Sequence, residues 1–216
     1  SGGFSVKEAH DVAIALRSGA LLAPVTLLEK RSVGPSLGAD SIKASSIALV
    51  SGFILIVGFL IMYYHMAGVF ASIALFVNFL LLIAIMALFG ATLTLPGMAG
   101  IVLSLGMAVD ANVIITERIR ELLRQGVAIR QSVEKGYENA MSAIVDGNLT
   151  LAVSSVILYV YGTGPIKGFA ISMLIGNLIS MLTAILGTHG MYVALMSYIE
   201  KNHSINFWFG MKKRGH

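Results

Sequence analysis

The chain has 216 residues, of which 56% are apolar and only 12% charged, with a formal charge of +4 and a mean hydropathy of +0.84. Soluble globular domains hold roughly a quarter charged residues, so an ordinary soluble protein and a disordered chain are both excluded. Charge-poor apolar runs of about 20 residues recur, each long enough to cross a hydrocarbon layer of about 30 Å, and they predict an all-α transmembrane bundle of five helices.

Residues 1–43 form the only stretch that reads as soluble and folded. Ser5-Val6-Lys7-Glu8 is a capping-box pattern before Val12, Ile14 and Leu16, and Gly19 closes a short predicted helix. The β-prone run Pro24–Val33 then ends in the turn-forming pair Gly34-Pro35. A helix–strand unit at the end of a small α+β domain is expected, too short to fold alone.

Five spans are predicted at Ala44–Tyr64, Val69–Gly90, Gly97–Thr116, Asn148–Gly162 and Gly168–Tyr198, which makes 44–198 the membrane domain and 199–216 a tail. Nine Lys and Arg residues lie in the loop 117–145 and the tail, while the opposite short loops hold only Lys167. The positive-inside rule therefore puts the loop and the C-terminus in the cytoplasm and residues 1–43 outside. A chain that starts outside needs an earlier crossing, so a longer parent protein is expected. Basic residues clustered between spans are topology signals, and no nucleic-acid partner is expected. The loop is expected to form two short amphipathic helices interrupted by Gly126 and Gly136, either a solvated face with Glu117–Arg120 and Glu121–Arg124 pairs or a docking surface.

Asp110 stands out within the third span. Thirteen residues at 1.5 Å each put it about 20 Å from the outer end of that helix, where a carboxylate costs about 2.5–3.5 kcal/mol and such groups face a bundle interior or a water-filled cavity. It is either a proton carrier or a hydrogen-bonded acid that locks two helices together. The five spans hold no Lys or Arg between their ends, so a counter-group for Asp110 must come from another chain or from water. Ala99, Leu103, Gly106, Val113 and Ile114 share its face, and Gly100, Ser104, Ala108 and Ala111 form a small-residue row beside it.

Asp146, Asn148 and Thr150 open the fourth span as lesser candidates for a proton path. Asp146 could instead cap a helix N-terminus, and Asn148 and Thr150 could make ordinary interhelical contacts or reach toward Asp110; Asn78 and Asn177 share that ambiguity. With no cysteine, no metal-ligand spacing for His65 or His189, no phosphate loop and no nucleophile motif, the chain is expected to be no enzyme and to carry no cofactor or metal.

The run Gly106–Val113, followed by Glu117–Glu121, resembles the signature of SecD, the protein-export membrane subunits. Leu22–Val25, Arg31–Gly38, Gly90–Gly97 and Gly162–Phe169 agree with it, so the resemblance covers nearly the whole chain. It implies a membrane fold of the resistance–nodulation–division type, the last five of six helices and the end of a periplasmic domain, in the cell inner membrane. It further implies assembly with SecF, work alongside the SecYEG translocon and indirectly SecA, a preprotein substrate, and use of the proton-motive force through the acid at Asp110. Gly147 and Leu151 depart from the usual family reading of the fourth span. Two alternatives stay open: a proton-coupled small-molecule exporter of related fold, and a structural scaffold of the export complex.

Overall fold

A computed structural model describes residues 10, 13–14, 35–90, 94–201 and 205–211. The chain divides into two compact units, residues 1–38 and 39–216. Of the predicted α+β unit, residues 1–43, the described residues are His10, Ala13 and Ile14, which are helical, and 35–43, which belong to the first long helix rather than to a turn after a strand. The rest, the predicted strand included, lies outside the described residues.

The second unit is built from helices alone among its described residues, the first of which begins a few residues earlier, at Pro35. They are α1 (Pro35–Tyr64), α2 (Met66–Leu88), α3 (Leu95–Arg124), α4 (Ile129–Tyr161), α5 (Pro165–Leu182), a π-helical turn (Thr183–Gly187), α6 (Thr188–Lys201) and the short α7 (Ile205–Phe209). Five segments are long and apolar enough to cross a membrane, the fifth being the continuous run Pro165–Lys201. This is a multi-pass membrane protein, and each predicted span corresponds to one crossing.

The helix ends follow local chemistry. Thr94 caps α3 by accepting the Gly97 N–H at 3.1 Å, and Pro96 enters the first turn, where its missing N–H costs nothing. Pro165 opens α5 in the same way. Gly126, at φ +83, lies in the α3–α4 connection just past the end of α3, in a conformation that disfavours side chains.

The charged loop differs from expectation. It does not fold as two short helices; α3 continues to Arg124 and α4 begins at Ile129, so only residues 125–128 are non-helical. Gly136 is not a break. It lies buried in α4 where the helix crosses α3, and a Cβ there would meet the Ile119 side chain at 2.5 Å. Ala140, Val133 and Ile144 continue the apolar stripe that Gly136 belongs to, so helix propensity and packing agree across the whole of α4.

The main core sits at the charged end of the bundle, around Ile115, Ile119, Val133, Tyr137, Tyr192, Met196 and the α7 residues Trp208 and Phe209. A smaller cluster of Leu82, Met86, Met98, Ile101 and Ile179 lies toward the other end. Half of the most apolar window in α3 and in the fifth crossing is buried, against 6% in α1 and 11% in α4. The bundle is therefore closed around α3 and α5 and open along α1 and the second half of α4.

Candidate functional site

The position of Asp110 is fixed by the packing of α3 on the opposite side. Gly97, Gly100, Ile101, Ser104, Ala108, Ala111 and Ile115 recur at helical spacing and are all buried. Small residues there allow α5 to lie almost in backbone contact: a Cβ on Gly100 would strike the Ser172 hydroxyl, and one on Gly176 would strike Ser104. Ser172 Oγ donates to Gly97 O at 3.1 Å and Ser104 Oγ to Gly100 O at 2.8 Å, which satisfies both hydroxyls inside the seam.

At 100° per residue, Asp110 lies about 130° around the helix from the middle of that seam. It is exposed, as are Ala99, Leu103 and Gly106, the row predicted to share its face; Val113 and Ile114 are half-buried. A Cβ on Gly106 would meet nothing within 4 Å. The molecule thus carries a carboxylate at the sixteenth position of a 30-residue membrane helix, beside an open glycine, with no hydrogen bond or ion pair to it among the described residues.

The second predicted cluster lies in the interior of α4. Asp146 is exposed and stands 17 residues after Ile129, so it caps no helix: the first turn of α4 is far away, and the Val133–Ile144 stripe carries the helix through this point. Asn148 Nδ2 donates to Ile144 O at 2.6 Å and Thr150 Oγ1 to Asp146 O at 2.9 Å, both within α4. Gly147 and Thr150 are exposed, and a Cβ on Gly147 would be unobstructed. Asn177 is buried and donates to the Asn148 carbonyl at 2.7 Å, joining α5 to α4. Asn78, also buried, donates to Thr183 Oγ1 at 3.3 Å. Both asparagines serve interhelical contacts.

Sequence reasoning underrated Arg120. It is 4% exposed rather than part of a solvated face. Nη1 donates to Glu117 at 2.7 Å, Nη2 to Gly210 O at 3.0 Å, and the guanidinium lies 4.8 and 4.9 Å from the ring centres of Tyr63 and Tyr64. One cation therefore joins the end of α1, the end of α3 and the segment after α7. The signal available in sequence was the pair Tyr63-Tyr64 at a helix end, which offers ring faces to a cation. The expected Glu117–Arg120 pair is present; Glu121 pairs with Arg118 at 2.8 Å. His189 lies edge-on to Tyr137, and among the described residues no cluster of His, Asp and Glu could hold a metal ion.

Residues 19–197 match the family model described as protein export membrane protein SecD/SecF, C-terminal. The chain belongs to this SecD/SecF family. It is 50% identical over 198 residues to the protein translocase subunit SecD of Desulfurispirillum indicum, covering 92% of this chain and 38% of that one. With the SecD of Magnetococcus marinus it shares 51% over 205 residues, covering 95% and 38%. The chain spans about a third of the length of the curated SecD relatives it matches. Among solved structures it superposes on SecDF from Thermus thermophilus, a translocon-associated membrane protein, with a TM-score of 0.78 and 38% identity over 93% of this chain and 28% of that one. A super-membrane-facing form of SecDF gives a TM-score of 0.73.

Proposed function

We propose that this chain is the membrane part of a SecD subunit that uses the proton-motive force to assist late steps of preprotein export, with Asp110 as the proton-carrying group. The observation that carries the reading is a carboxylate at mid-membrane on the outward face of α3, fixed there by the α3–α5 seam behind it. Such a group is costly against lipid. A second chain covering this face, with a cation or water at the height of Asp110, removes that cost, and SecF is the partner the family supplies. Asp146 and Thr150 lie on the open side of α4 and are secondary candidates for the path, with Asn148 beside them. A potential of 100 mV contributes about 2.3 kcal/mol per charge moved, enough to bias a two-state element. The work is mechanical rather than catalytic, it takes place in the inner membrane beside SecYEG, and the charged end of the bundle with its tail faces the cytoplasm.

The test is secretion of a reporter preprotein by cells that carry the full-length protein with Asp110→Asn, with membrane levels of the variant and of SecF followed in parallel. Export is expected to fall to the level without a proton-motive force while both subunits stay at normal abundance. Unchanged export would leave Asp110 a packing residue and favour a scaffold.

A further inference from the structure

The fifth crossing changes hydrogen-bond register between two differently packed halves. Before the π turn, α5 is fastened to α3 through Ser172, Ser104 and Gly176. After it, α6 packs through Tyr192, Met196 and Ile199 into the charged-end core. Within the turn the Thr188 N–H bonds Thr183 O, five residues back, so one residue more than an α-helix accommodates is held there. An extra residue of this kind can pass along a helix stepwise, each step exchanging one backbone hydrogen bond for another. The route downstream is open: Gly187 and Gly190 weaken the α ladder, and a Cβ at either would meet nothing within 4 Å.

The side chains beside the turn offer two arrangements. Thr188 Oγ1 donates to Ala184 O, so the Tyr137 O–H is the donor in the 2.5 Å bond between the Tyr137 and Thr188 hydroxyls. Asn112, 4% exposed, donates from Nδ2 to Ala108 O at 3.0 Å, which fixes its amide orientation, while its Oδ1 accepts nothing. Asn112, Tyr137, Thr188 and Tyr192 line one internal gap too tight for a water molecule. The gap leaves no room for water at the vacant acceptor, so a donor must come from the lining itself, which offers the Tyr137 and Tyr192 hydroxyls; of these the Tyr137 O–H is the one whose present acceptor, Thr188, sits on the π turn.

We propose that the π turn is a movable joint, and that its displacement toward Gly190 draws Thr188 away and hands the Tyr137 hydroxyl to Asn112 Oδ1 on the helix that carries Asp110. One donor on α4 is shared between two acceptors, on α6 in the described arrangement and on α3 in the other. The α3–α5 seam is unchanged in both, and the moving part is the start of α6. This joint is a property of the packing and stands independently of proton transport; only its value to Asp110 rests on that reading.

The test uses the full-length protein with its partner subunit in lipid nanodiscs, with 3,5-difluorotyrosine placed at 137 and followed by fluorine NMR. Two exchanging signals are expected. Asn112→Leu abolishes one of them, and Thr188→Val enlarges that same signal roughly five- to tenfold, the weight of one neutral hydrogen bond. Excision of Ile185, which removes the extra residue, leaves a single signal. The inference is overturned if Asn112→Leu changes nothing in either the unaltered or the Thr188→Val protein, or if both signals survive the excision. None of these readouts depends on export activity.

Discussion

A guanidinium buried at a membrane helix end needs acceptors for several donors, and Arg120 finds them on three separate segments. Glu117 supplies charge, the Gly210 carbonyl a second acceptor, and the Tyr63 and Tyr64 rings a π face, while Nε lacks a partner. Replacement by leucine removes these links and leaves Glu117, itself partly exposed, without its partner. Arg120→Leu is expected to cost about 1–3 kcal/mol and to free the segment after α7, seen as faster proteolysis near Gly210 and a lower unfolding temperature in detergent. Equal proteolysis in both proteins would show that Trp208 and Phe209 hold the segment unaided.

The seam between α3 and α5 sets which side of α3 is outward. Ser104 and Gly176 meet so closely that Gly176→Leu leaves no room without parting the helices, at a cost of roughly 1–3 kcal/mol or more from overpacking. Thermal unfolding of the purified protein should show it as a clear loss. Gly106 on the opposite face is the contrast, because its Cβ position is open. Gly106→Leu is expected to leave the unfolding temperature within a degree or two, on the order of the 0.5 kcal/mol of a neutral surface change, yet to weaken co-purification of the partner subunit. A variant that unfolds early, or that retains its partner undiminished, would contradict an interface beside Asp110.

Across the whole molecule, burial is uneven: α3 and the fifth crossing are half buried in their apolar windows, and α1 and α4 hardly at all. Large apolar side chains such as Leu55 and Met62 on α1 and Val153 and Val160 on α4 stand exposed. Lipid can cover them, because a helix in a bilayer gains little by hiding leucine from hydrocarbon. The polar positions Asp110, Asp146 and Thr150 are different, since each lies on an exposed side of an otherwise apolar segment. The 216 residues contain no cysteine, so single cysteines report cleanly on this surface in a full-length protein cleared of any others. Leu103→Cys should crosslink to the partner subunit, and Ser104→Cys, one position around the helix and buried in the seam, should not. Equal crosslinking at both would mean that the α3–α5 seam opens.

Composition and hydropathy alone determined that this is a membrane bundle, how many times it crosses and where the unusual acid lies, because a 30 Å apolar layer forces long charge-poor segments whatever their packing. The row through Ala99, Leu103, Gly106 and Asp110 was likewise legible, since helical periodicity assigns faces without a neighbour. Periodicity could not say which face points inward, and both the Asp110 face and the small-residue row qualified until the contact of Ser104 with Gly176 buried the latter. Gly136 and Arg120 were misread for the same reason: a glycine that breaks a helix and one that admits a neighbour look alike in sequence, as do a solvated arginine and a buried one. Tertiary contact with Ile119, Tyr63 and Gly210 decided both. The π turn had no sequence signal at all, because it arises from reconciling the register of α5 against α3 with that of α6 in the charged-end core, which are long-range constraints that no local pattern encodes.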